Sequence, residues 1–169
     1  MFRTVVMSLL LASGPLFGAD VPADQKPAEP VVEKYEDWVS RCVEPADGKT
    51  ICEAIQVILI NRDQVSGRVL ETSLRRINDK DIIMQFVLPF GVDLRPGVAF
   101  RVDENEELKA GFLTCLQQGC LVQLLVNNDL MSQLKGGTQA RLGFRPLGSA
   151  ETVVVEISLR GFSSSIQGL

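Results

Sequence analysis

Gly111-Phe112-Leu113-Thr114-Cys115-Leu116-Gln117-Gln118-Gly119-Cys120 is the stretch on which the reading of the chain turns. It links two strand-like segments, Leu108–Cys115 and Cys120–Val126, through a Gln-Gln-Gly reversal. A short polar loop ending in Gly between two apolar, β-prone runs is a hairpin signal. A cysteine stands at each end of the reversal, where a hairpin brings the chain within disulfide reach.

The same pattern repeats outward in both directions. Trp38, Ser40 and Cys42 alternate with Val39, Arg41 and Val43, and Pro45, Asp47 and Gly48 supply the next turn. Ile51–Asn61 follows as a strand whose Val57-Ile58-Leu59-Ile60 run is apolar on both faces, which predicts a central position. Arg68–Ile77 and Asp81–Leu88 are strands separated by Asn78-Asp79-Lys80. Pro89–Gly97, with two Pro and two Gly, should leave the sheet while Phe90, Val92 and Leu94 pack onto the core. Val98–Asp103, Gln139–Arg145 and Thr152–Leu159 alternate cleanly, period two being the mark of a strand with one buried face. One segment breaks the pattern. Asn128–Gly137 predicts a short helix, capped by Asn127 or Asn128, with Asp129 in its first turn, Lys135 in its last and Gly136 as the C′ residue. About eight or nine strands at regular spacing, with a single helix, predict an all-β antiparallel sandwich, or as the alternative a small barrel. Trp38, the only tryptophan, is expected to plug the core of the first hairpin.

Composition narrows the function. A chain of 169 residues with 46% hydrophobic and 22% charged residues has the makings of one globular domain. A net charge of −4 argues against a nucleic-acid partner, because affinity for phosphates comes from Lys and Arg. There is no histidine, which removes Ser-His-Asp triads, Cys-His pairs and His-ligated metals. The acidic run Glu104-Asn105-Glu106-Glu107 lacks the ligand offsets of a calcium loop and reads as a solvated hairpin tip. A hydrolase built on two carboxylates stays open. No catalytic, cofactor-binding or metal-ligating residue is assigned, and no cofactor is expected.

Residues 1–23 read as a secretory signal peptide. Arg3 provides the positive start, Val5–Phe17 the apolar stretch, and Gly18, Ala19 and Ala23 the small residues of a cleavage site between about 18 and 23. The apolar stretch is too short to span a bilayer, and nothing later reaches roughly 18 consecutive apolar residues, so no transmembrane helix is expected in the mature chain. Residues 24–34, carrying Pro27 and Pro30, are expected to be a flexible linker. Residues 35–163 form the domain and 164–169 a tail.

Four cysteines behind an export signal imply an oxidising compartment and two disulfides. The local pattern, Cys42 with Cys52 and Cys115 with Cys120, is the expected pairing. Loop closure alone would give these bridges about 3 and 2 kcal/mol respectively. A four-cysteine zinc site and a thiol oxidoreductase are the alternatives, but neither CxxC knuckles nor a CxxC at a helix start is present.

Trp38-Val39-Ser40-Arg41-Cys42, Cys52-Glu53, Leu88-Pro89-Phe90-Gly91-Val92, Thr114-Cys115 with Gly119-Cys120, Leu134-Lys135-Gly136-Gly137 and Ser158-Leu159-Arg160-Gly161-Phe162 together resemble the invasion-associated locus B family. The resemblance runs from Trp38 to Phe162. It implies an immunoglobulin-like β-sandwich exported to the periplasm, the outer membrane or the medium of a Gram-negative bacterium, and it carries over no catalytic residues. The expected function is a non-enzymatic envelope or secreted binding module that aids host-cell invasion, with an unknown protein, envelope or host-surface partner. The alternative is a periplasmic structural or chaperone-like protein that offers a sheet edge to its partners.

Overall fold

The computed structural model describes residues 29–45, 48–62 and 65–169. The expected signal peptide and residues 24–28 of the expected linker lie outside the described residues. Among the described residues eleven strands and two helices follow one another: β1 Val31–Tyr35, β2 Trp38–Val43, β3 Ile51–Arg62, β4 Val65–Arg76, β5 Ile82–Leu88, β6 Val98–Val102, β7 Leu108–Ala110, β8 Phe112–Leu116, β9 Gly119–Leu125, α1 Asn128–Gly136, β10 Gln139–Phe144, β11 Val153–Ser158 and α2 Phe162–Ser165. They form a seven-stranded sheet in the order β1-β2-β3-β4-β5-β9-β8 and a four-stranded sheet in the order β11-β10-β6-β7. Every pairing is antiparallel.

The two sheets close on a core built by period-two alternation. Ala54, Leu70, Leu74, Met84, Phe86, Leu88 and Val122 come from the large sheet, and Val98, Phe100, Val102, Ala140, Leu142, Val155 and Ile157 from the small one. Phe86 and Phe100 meet across the sandwich with ring centroids 5.2 Å apart. The fold is the expected antiparallel β-sandwich. Burying apolar faces of both sheets against each other is what drives it, at about 25 cal/mol per Å² removed from water.

The turns obey their chemistry. At Asn78 the side-chain oxygen accepts from the backbone N–H of Lys80 and Asp81, which closes the β4–β5 reversal as an Asx turn. Gln117 and Gln118 form the β8–β9 turn between the paired residues Leu116 and Gly119. Gly119 has φ +140, and a Cβ there would stand 2.1 Å from the Leu88 carbonyl oxygen, so the position accepts no side chain. In α1 the Asn127 side chain accepts from Leu130 N–H, Leu130 and Leu134 face the core, and the cap falls at Gly137, one residue beyond the glycine expected.

Four features differ from the expectations. First, Val31–Lys34 belong to β1, not to a linker, and pair with β2 from Val31↔Cys42 to Tyr35↔Trp38. This strand is an edge with exposed side chains from Val31 to Lys34, so its residues show no inside–outside alternation to read. Second, the expected strand Leu108–Cys115 is two strands, because the chain crosses from the small sheet to the large one at Gly111. Together these raise the strand count from eight or nine to eleven. Third, the expected tail folds back. Ser165 and Ile166 are buried, and α2, which starts at Phe162 within the expected domain, makes a second helix whose Phe162 ring packs edge-on to Trp38 at 5.1 Å. Fourth, Phe90 and Leu94 do not pack inward; they are 63% and 48% exposed, while Val92 is buried. The β3 run is central in sheet order, between β2 and β4, yet Val57 and Leu59 on its outer face stay exposed.

Candidate functional site

The four cysteines pair locally. Cys42 and Cys52 face each other across β2–β3 with Cα atoms 4.1 Å apart, and Cys115 and Cys120 across β8–β9 at 3.9 Å. Both bridges lie within directly paired strand positions and join neighbouring strands. Trp38 is buried, and its indole N–H donates to the Ser158 carbonyl oxygen at 2.7 Å.

The buried carboxylate is Asp93, whose side chain is 4% exposed. It turns inward beside Val92 and accepts from Arg95 Nε at 2.8 Å, Arg95 Nη2 at 2.9 Å, the Arg95 backbone N–H at 3.2 Å and Arg145 Nη2 at 2.8 Å. The hydrogen bonds from the Arg95 guanidinium, helped by those from the Arg95 backbone and from Arg145, hold its carboxyl well below the usual carboxylate range against the opposing effect of burial. Backbone bonds tie this loop to the end of β10, Asp93 N–H to Arg145 O and Leu147 N–H to Gly91 O, both at 2.7 Å. The arrangement therefore places Phe90, Leu94 and Leu147, the last 67% exposed, on two adjoining loops around a cluster of one carboxylate and two guanidinium groups. Sequence reasoning missed Asp93. The signal was an acid two residues before an arginine within an otherwise apolar connection.

Glu104, in the expected hairpin tip, lies 3.6 Å from Arg141 and 4.0 Å from Arg101. Among the described residues no cluster of three metal-ligating side chains occurs. None of the described helices is long and apolar enough to cross a membrane.

A second surface lies along the free edge of the small sheet. Among the described residues β11 pairs only with β10, and the bond from Leu159 N–H to Thr138 O sets the phase of that ladder. In an antiparallel ladder hydrogen-bonded pairs alternate. The backbone groups of Val153, Val155 and Ile157 therefore face β10, and those of Val154, Glu156 and Ser158 face outward. Ser158 is sealed from the large sheet. Its N–H donates to Gln56 Oε1 at 3.1 Å, and its carbonyl accepts from Gln56 Nε2 at 3.0 Å and from Trp38. Val154 and Glu156 lie above this seal, where a groove of about 560 Å³ opens between β11 and the β3–β4 hairpin. Ile58, Ile60 and Val69 line its other wall. The groove begins where the β3–β4 register shifts, between Ile58 and Leu59. A bulge of this kind bends a strand and increases its twist.

Comparison with known proteins adds the lineage. Residues 38–169 match the family described as Invasion associated locus B protein. An invasion protein B homolog of Brucella abortus (strain 2308) is 30% identical over 156 residues, covering 92% of this chain and 87% of that protein. Invasion protein B of Bartonella bacilliformis is 24% identical over 177 residues, covering 98% and 93%. The crystal structure of invasion associated protein B from Bartonella henselae superposes with a TM-score of 0.68 at 21% identity, covering 80% of this chain and 93% of that one, and so shares the fold. The chain belongs to the invasion-associated locus B family.

Proposed function

We propose that this protein is an exported, non-enzymatic binding module of the bacterial envelope or surroundings that aids entry into host cells. The observation that carries the proposal is family membership, since relatives from Brucella and Bartonella are named invasion proteins. Three further features support it. The pattern of residues 1–23 is that of an export signal. Two cysteine pairs at disulfide distance suit an oxidising compartment. The buried carboxylate Asp93 is spent on two arginines rather than paired with a second acid, as a glycan hydrolase would require.

The test is deletion of the gene with complementation, scored for host-cell entry and for envelope integrity, alongside fractionation of the tagged protein. The expected result is protein in the periplasm, outer membrane or medium and reduced entry that complementation restores. Cytoplasmic retention, or entry unchanged by deletion, would overturn the proposal. The unpaired edge of β11 favours a second reading, a periplasmic chaperone-like protein. A pull-down that captured periplasmic proteins and nothing from host membranes would select that second reading.

A further inference from the structure

The large sheet has seven strands and the small sheet four, so the small sheet covers only part of its partner. At the β11 side the mismatch is visible as the groove over Ile58, Ile60 and Val69. Beside it Val154 and Glu156 turn two N–H donors and two carbonyl acceptors outward. Among the described residues none of these four groups has a protein partner. Unpaired strand edges ordinarily carry charged side chains, Lys above all, or Pro or a bulge against unwanted pairing. β11, Val153-Val154-Val155-Glu156-Ile157-Ser158, carries a single charge, Glu156, and no Lys, Pro or bulge, and Val154 is 56% exposed.

We propose that this groove is a docking site for an extended segment of another polypeptide, which adds to β11 as a fifth strand of the small sheet. The proposal rests on the binding-module reading and says what kind of ligand such a module takes. Its chemistry follows from the ladder. In antiparallel addition one ligand residue exchanges both bonds with Val154, and the residue opposite Glu156 does the same. The ligand residues opposite Val153 and Val155 then point inward, as Val155 does, onto the wall of Ile58, Ile60 and Val69, and must be apolar. The residue opposite Glu156 points outward, where a cation is favoured. A segment of roughly five residues spans the site at about 3.4 Å per residue. Backbone bonds would hold it, and two alternate apolar side chains would select it. A folded second copy fits less well. Each of its edge strands, β1, β7, β8 and β11, brings the rest of its sheet with it, whereas the space between β11 and the β3–β4 wall suits a single strand.

The experiment titrates the full-length secreted protein with a fluorescein-labelled peptide, Ser-Val-Lys-Val-Thr-Val-Ser, by anisotropy, and follows amide exchange by NMR. Saturable binding is expected, with exchange slowed at the Val154 and Glu156 amides and unchanged at Val153 and Val155, which already bond to β10. The Val154→Pro variant removes an outward donor and leaves the β10 ladder intact, and it should weaken binding at least tenfold. A peptide N-methylated at Lys and Thr, which would lose both donors, should fail to bind the unaltered protein, so the result does not depend on the variant folding. Equal binding of the N-methylated peptide, no saturation at millimolar peptide, or concentration-dependent protection of the same amides by self-association would each overturn the proposal. The peptide titration and the host-entry assay have separate readouts, so loss of one leaves the other standing.

Discussion

Replacing Gln56 by Leu tests how the two sheets are joined. Gln56 is buried on the inner face of β3, and its amide makes two bonds to the backbone of Ser158 in β11. Leucine has nearly the same volume, so packing changes little and the loss is polar. The Ser158 carbonyl keeps its bond from Trp38, while the Ser158 N–H loses its only partner among the described residues. A buried donor left without a partner costs about 1–3 kcal/mol, and the second lost bond is partly offset by the remaining indole N–H. The expected destabilisation is therefore about 2 kcal/mol. For a domain of this size that lowers the melting temperature by about 4–8 °C. Denaturant titration measures the free energy, and amide exchange should show faster exchange at Ser158 with little change at Val155. Gln56→Glu is the control. A buried carboxylate can accept from the Ser158 N–H but opposes its carbonyl, so its pKa rises on folding and the variant is destabilised more at pH 7 than at pH 4, where the acid is protonated and can donate. A Gln56→Leu variant within about 0.5 kcal/mol of the unaltered protein would refute the idea that this amide stitches β11 to the large sheet.

Asp93→Asn should flatten the acid side of the stability profile. The folded pKa of Asp93 is depressed, so its stabilisation is present above the ordinary carboxylate range and is lost as pH falls below about pH 5 toward the folded value; melts across pH should show that slope in the unaltered protein and not in the variant. Gly161→Ala puts a Cβ 2.0 Å from the Tyr35 carbonyl oxygen at a residue with φ +82, and a loss of about 2–4 kcal/mol in denaturant titration is expected. Removing the Cys42–Cys52 pair as a double Ser variant should cost about 3 kcal/mol and removing Cys115–Cys120 about 2 kcal/mol, in the order of their sequence separations of 10 and 5. Mass spectrometry of unreduced peptides showing crossed pairing would contradict both values.

Much of the sandwich was legible because its information is local. Alternation of Val98, Phe100 and Val102, or of Ala140, Leu142 and Phe144, specifies a buried face without reference to any distant residue. The α1 cap at Asn127 and the turn at Asn78 are equally local, each set by a side chain two or three residues from its bond. The cysteine pairs were legible for the same reason. What failed did so where a long-range partner decides. β1 is a strand because β2 lies beside it, and Ser165 and Ile166 are buried because α2 folds back against β1 and β2. Asp93 is paired locally by Arg95, a signal the sequence carried, but Arg145, 52 positions later, completes its set of donors, and that partner no local pattern announces.

The sequence by itself determined an antiparallel sandwich, its family, and where its hairpins turn, since hydrophobic period and turn chemistry act over a few residues. The opening hairpin, Gly111 to Cys120, shows the limit. Its cysteines and Gln-Gln-Gly turn were readable, yet the chain's passage at Gly111 from one sheet to the other was not. Only the tertiary structure decided which strands share a sheet, which edges are sealed and which stay open. Strand pairing is a contest among distant backbones. Its outcome leaves Ser158 closed by Gln56 and Trp38, and Val154 and Glu156 bare beside an apolar wall.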